Sequence, residues 1–180
     1  PEEQRRAEGV HLAEGAGEQV ERRSPHGVEC ADEPADLLAD DAAQLLSRLD
    51  MPILLVPGNH DHRGRLLDAF PDHAYLRQNP VPERLCYALD FPPLRLIGLD
   101  TVIPGFHGGG LDDITLEWLD SELGERKVPT VIFMHHPPFP VGIPAMDSDS
   151  FSMAESFEDV LRGHPHVIRH HIGIAPALRG

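Results

Sequence analysis

The chain of 180 residues is poor in cysteine, in long apolar runs and in positive charge, and each shortage closes off a class of protein. Its two cysteines, Cys30 and Cys86, lie far apart and in no zinc-like cluster, which excludes a disulfide framework and a zinc finger and makes the cytoplasm the expected compartment. No apolar run approaches the roughly 20 residues of a membrane-spanning helix, and Pro1 to Gly9 is polar and acidic, unlike a signal peptide. No membrane partner is expected. A start on Pro1 instead of Met is compatible with a missing upstream segment. The third shortage is decisive for partners: 15 Lys and Arg against 30 Asp and Glu leave a formal charge of -15, a field that repels polyanions. Nucleic acid is not expected as a partner, and chemistry on phosphate would require metal cations.

What is present is an ordinary globular composition, 41% apolar and 25% charged, enough for one domain with a real core. Its most informative stretch is Ile53-Leu54-Leu55-Val56-Pro57-Gly58-Asn59-His60-Asp61. Four aliphatic residues followed by Pro and Gly read as a buried strand of a parallel sheet, and ligands bind beyond the carboxyl ends of such strands. Asn59, His60 and Asp61 would project there. A plain polar turn explains a lone Gly-Asn equally well. A second run, Val131 to Met134, ends in His135-His136-Pro137-Pro138, and the pair of His-bearing strand ends favours a site.

Residues 1–27 hold few aliphatics and read as loop or disorder. Asp32 then caps a predicted helix with Pro34 in its first turn, and Leu38, Ala42, Leu45, Leu46 and Leu49 form its apolar stripe. Further helices are predicted over Arg63 to Phe70 and over Leu111 to Leu123, the second capped by Asp112 or Asp113 and stopped by Gly124. A capping box from Ser152 to Glu155 opens another, which bears Phe157 and Leu161. Strands are predicted at residues 53–56, Cys86 to Leu89, Leu94 to Leu99 (ending at Asp100), Val131 to Met134 and His166 to Arg169, with His170 to Gly180 not continuing the last. Strands alternating with helices imply an α/β fold, and their mixed lengths suggest two sheets packed face to face.

Imidazole nitrogen with amide or carboxylate oxygen suits zinc, manganese or iron. On Val56 to Asp61, Ile132 to Pro138 and the stretch from Gly110-Leu111 to Trp118-Leu119, residues 28–169 resemble the calcineurin-like metallophosphoesterases, in the branch of cyclic-nucleotide and glycerophosphodiester phosphodiesterases. The resemblance implies a sandwich of two mixed β-sheets flanked by helices. It implies a binuclear centre of divalent ions (manganese, iron, zinc or cobalt) whose bound hydroxide attacks a small phosphodiester. It makes Asn59 and His135 metal ligands, and His60 the residue that contacts the phosphate and helps the leaving oxygen depart, its ring oriented by Asp61. His136 would support His135 or line the substrate pocket.

The family pattern is incomplete here. Its first strand ends in Asp-x-His and its second in Gly-Asp, whose carboxylate bridges both metals; neither occurs, and Pro25-His26 stands where the Gly-Asp should be. A late Gly-His-x-His is expected after Arg169 and is absent. Gly163-His164-Pro165-His166 matches it literally but lies between a helix and a strand, so it reads as a connection, and His107 sits in a Gly-rich loop that opens no phosphate-binding helix. We therefore read residues 28–169 as an in-frame core of an incomplete sandwich, lacking first strands and C-terminal part, between out-of-frame or unrelated segments 1–27 and 170–180. The gene decides this: the reading ends if no other frame restores Gly-Asp and Gly-His-x-His. Two functions follow, a metal-dependent phosphodiesterase or a non-catalytic remnant that holds one metal weakly or none. Exposed sheet edges also predict low solubility or assembly into an oligomer.

Overall fold

A computed structural model of the chain describes residues 35–149 and 151–172. Four strands form its sheet: β1 (Tyr87–Phe91), β2 (Leu94–Leu99), β3 (Thr130–Met134) and β4 (Val167–Ile172), side by side in that order. β1 pairs antiparallel with β2, whereas β2, β3 and β4 run parallel, with Leu99 opposite Met134 and Met134 opposite Ile172. Parallel neighbours need crossovers, and helices supply them. In chain order the helices are α1 (Ala35–Leu46), α2 (Arg63–Ala69), α3 (Asp113–Glu125), α4 (Pro144–Asp147) and α5 (Ala154–Gly163), with a 3-10 turn at Ala74–Arg77. α3 crosses from β2 to β3, and α4 and α5 lie between β3 and β4. The expected α/β class is the one adopted, with a single mixed sheet among the described residues.

The alternation of side chains along each strand divides the apolar residues into two layers. Ile97, Leu99, Ile132 and Met134 bury one face against Leu116, Leu119 and Leu123 of α3 and Phe157 of α5. On the other face Tyr87, Leu89 and Phe133 meet Leu66 and Phe70, Leu76 of the 3-10 turn, and Leu55 and Val56. Each fully buried Leu or Ile contributes about 1.5–3 kcal/mol by leaving water, so the first layer fixes how β2 and β3 stand together. No helix among the described residues is long and apolar enough to cross a membrane.

Several local expectations are corrected. Residues 53–56 belong to no strand; two tyrosine hydroxyls satisfy their backbone where a ladder partner would. Ser152 does not cap α5: Met153, at φ 65°, precedes the helix without a side-chain cap, while Ser152 exchanges backbone bonds with Gly109 and Leu111. Asp112 caps α3, accepting from Thr115 N at 2.9 Å, and the helix passes through Gly124 to Glu125. β4 continues past Arg169 because β3 still offers it partners, His170 opposite Ile132 and His171 opposite Phe133. Of the stripe foreseen for α1, Leu46 reaches the second layer but Leu45 and Leu49 stay about half exposed. Successive helical residues point 100° apart, and Leu49 lies beyond the helix end. The Asp32 and Pro34 start signal and the segment 1–27 lie outside the described residues.

Candidate active site

The carboxyl ends of β2 and β3 meet at one edge of the sheet, and there the chain delivers Asp100-Thr101-Val102 and His135-His136. Residues 53–57 bring a third strip of backbone to the same place. The Tyr75 hydroxyl donates to Ile53 O (3.1 Å) and accepts from Leu55 N (3.0 Å), and the Tyr87 hydroxyl donates to Leu55 O (2.6 Å). Burial pushes the acidity of both phenols down, so each stays a neutral donor. Tyr87 itself lies flat over Gly98, where a Cβ would come within 2.6 Å of Cζ.

Beyond Pro57 the chain closes a tight turn: Asp61 N donates to Gly58 O at 3.0 Å, and Asp61 Oδ2 accepts the Gly58 amide at 2.7 Å. The resemblance makes Asp61 the residue that orients His60; in the structure one of its carboxylate oxygens accepts the Gly58 amide and helps to close the loop. Asn59 turns inward, and His135 Nε2 donates to its Oδ1 at 3.1 Å. His60 is exposed at the tip, its ring centre 6.3 Å from that of His107. Between this loop and residues 102–105 opens a cleft of ≈ 380 Å³ lined by Asn59, Asp61, His62, Arg63 and the apolar wall Val102, Ile103 and Pro104.

His136 stands behind His135. It is 7% exposed, its ring packs edge-on at 4.7 Å from the His135 ring, and its Nδ1 lies 2.8 Å from Thr101 Oγ1. Burial, reinforced by the neighbouring His135, pushes the His136 imidazole down to about 4, so it is neutral at physiological pH. Its Nε2 is buried and unpartnered among the described residues.

Asn59 and His135 have the chemistry of metal ligands and the spacing of two ligands on one ion. Donors about 2.1 Å from an ion stand about 3 Å apart at octahedral right angles and about 3.4 Å apart at tetrahedral angles. They are, however, only two. Among the described residues no group of three or more His, Cys, Asp or Glu side chains converges as a metal ion requires. The described donors fit one edge of a single-ion site and do not fit a two-ion centre. His164, from the literal Gly-His-x-His, lies between α5 and β4 at the other end of the sheet, its Nε2 2.7 Å from Asp120 Oδ1.

Sequence reasoning missed Asp100, Thr101, Arg63 and the two tyrosines. Asp100 is fully buried and accepts from Arg63 Nε (2.5 Å), Arg63 Nη2 (2.9 Å), Leu85 N (2.9 Å) and Val102 N (3.0 Å). That carboxylate holds the Arg63 guanidinium above its ordinary value. A carboxylate at the end of a strand was a visible signal; nothing local marks Tyr75 or Tyr87.

Comparison with known proteins gives the site a context. The model of the calcineurin-like phosphoesterase family matches residues 17–168. The chain is 35% identical over 141 residues to the glycerophosphodiester phosphodiesterase GpdQ of Enterobacter lignolyticus, an alignment covering 69% of this chain and 49% of that protein. It is 31% identical over 122 residues to a probable cyclic nucleotide phosphodiesterase of Synechococcus, covering 68% and 45%. To the 3',5'-cyclic adenosine monophosphate phosphodiesterase CpdA of Escherichia coli it is 27% identical over 126 residues, covering 69% and 43%. The chain thus spans about half the length of the curated relatives it matches.

Proposed function

Because the chain belongs to the calcineurin-like phosphoesterase family, we propose that it acts on small phosphodiesters, with a 3',5'-cyclic nucleotide as the expected substrate and a glycerophosphodiester as the second choice. The observation that supports this reading is the meeting of Asn59 Oδ1 and His135 Nε2 at 3.1 Å beside an exposed His60 and an open cleft. In this reading His60 holds a phosphoryl oxygen and gives a proton to the departing alcohol, a role imidazoles commonly fill as general acids. Asp61 keeps the loop closed so that Asn59 faces inward and His60 outward, and His136 holds His135 from behind. Asn59 and His135 are the donors we assign to a divalent ion, of manganese, iron, zinc or cobalt.

The test is hydrolysis of bis(4-nitrophenyl) phosphate by the full chain with added manganese, beside His60→Ala. A rate above the manganese blank that falls at least tenfold in the variant is expected. Equal rates for both proteins, or none above the blank, would overturn the hydrolase reading.

The two-donor set favours a second reading, a binding module that holds one ion and a small phosphodiester without turnover. It predicts ligand-dependent thermal stabilisation in the absence of any hydrolysis.

A further inference from the structure

We propose that the consecutive residues Asp100 and Thr101 are positioning residues that register the two halves of the site, Asp100 holding the loop 58–62 and Thr101 holding His135-His136. The proposal takes its site from the hydrolase reading above, but what it claims is geometry and not turnover.

Asp100 is 0% exposed, and its two oxygens accept four bonds. Such a saturated carboxylate has no lone pair left for an ion or a substrate proton, which removes it from the reacting groups despite its place at the end of β2. Two of its bonds hold the strand's own surroundings, Leu85 N and Val102 N. The other two go to Arg63, the first residue of α2, which immediately follows the loop. The same guanidinium also donates from Nη2 to Val102 O at 2.8 Å. Paired forks of this kind fix direction as well as distance, so the downstream end of the loop is tied to the end of β2.

One residue on, Thr101 is fully buried and its Oγ1 meets His136 Nδ1 at 2.8 Å, while the His136 amide approaches the same oxygen at 3.4 Å. A Cβ at Gly109 would collide with the His136 side chain, so the ring also packs directly on the Gly109 backbone. His136 in turn carries His135 edge-on. Two adjacent residues of one rigid strand end therefore set Asn59 against His135 from opposite sides.

Arg84 supplies the control. It grips the same strand end, donating to Asp100 O (2.8 Å), Gly110 O (3.3 Å) and Asp112 Oδ2 (2.9 Å), and none of these bonds goes to the loop 58–62 or to His135-His136.

The experiment reads the Asn59 side-chain amide and the imidazole resonances of His60, His135 and His136 in the full chain by NMR, alongside thermal melts. Asp100→Asn, and the milder Arg63→Lys, should displace the Asn59 and His60 signals. Thr101→Val should displace those of His135 and His136, and Thr101→Ser should restore them. Arg84→Gln, with a comparable loss of melting temperature, should leave all four in place. Three results would overturn the proposal: Arg84→Gln moving the same signals, Arg63→Lys leaving Asn59 and His60 unmoved, or Thr101→Ser behaving like Thr101→Val. Absence of hydrolysis, which would sink the hydrolase reading, alters none of these readouts.

Discussion

The His135 ring occupies the space that a side chain at residue 58 would fill: a Cβ on Gly58 would lie 2.9 Å from Cε1 and 3.0 Å from Nδ1 of that ring. Both residues are at their positions for the sake of a third, Asn59, whose Oδ1 the ring reaches only while the Gly58 backbone lies close. Gly58→Ala should therefore push His135 off Asn59 at a cost of about 1–3 kcal/mol, the usual range for overpacking. The control is Gly64→Ala, where a Cβ would meet only His62 ring atoms at 3.4 Å and the helix gains propensity. Urea denaturation should show the first variant less stable and the second unchanged or more stable.

The tyrosine hydroxyls make a second prediction. Tyr87→Phe leaves Leu55 O without its 2.6 Å donor in a largely buried setting, and Tyr75→Phe removes the partner of both Ile53 O and Leu55 N. Each buried polar group left unpaired costs about 1–3 kcal/mol. Hydrogen exchange at the Leu55 amide should accelerate in Tyr75→Phe and not in Tyr87→Phe, because only Tyr75 receives that N–H.

These tyrosines also mark where the sequence stopped being legible. Leu94 to Leu99 and Val131 to Met134 were readable as strands because their pairing partners are apolar runs of the same kind. Ile53 to Val56 has the same local texture, but a strand needs a ladder, and its backbone is held from residues 20 to 32 positions away. The resemblance makes Asn59 and His135 ligands of one metal from positions 76 residues apart, and in the structure Asn59 Oδ1 and His135 Nε2 lie 3.1 Å apart. Asp100 was read as the end of a strand; its role depends on Arg63, 37 positions upstream, and no local pattern carries that pairing. Ser152 to Glu155 shows the opposite failure, a sound capping signal overruled because Ser152 is already held by Gly109.

Cys86 gives a prediction with a pH sign. Burial pushes its thiol up to about 12, so the folded chain disfavours the thiolate and the unfolded chain releases that proton near 9. Between those values the unfolded state binds fewer protons, and stability contributed by the neutral thiol falls as pH rises from about 9 toward 12. At pH 8 a disulfide reagent should leave Cys86 unmodified in buffer and modify it in urea, with labelling tracking the unfolding transition. Rapid modification of Cys86 in buffer would contradict its burial.

Metal stoichiometry separates the two functional readings most directly. Two donors 3.1 Å apart can share one ion, and because no group of three or more His, Cys, Asp or Glu converges as a metal site among the described residues, the site should be weak and single. Titration of the full chain with manganese should therefore show no more than one ion per chain. An ion that binds only the folded state stabilises it by about 1.4 kcal/mol at ten times its Kd, so manganese should raise Tm and a chelator should reverse the rise. Asn59→Ala and His135→Ala should each abolish the rise, because a lone remaining donor holds no ion. His60→Ala should preserve it, since that ring is exposed at the loop tip. Two tightly held ions per chain would instead rule out the non-catalytic module.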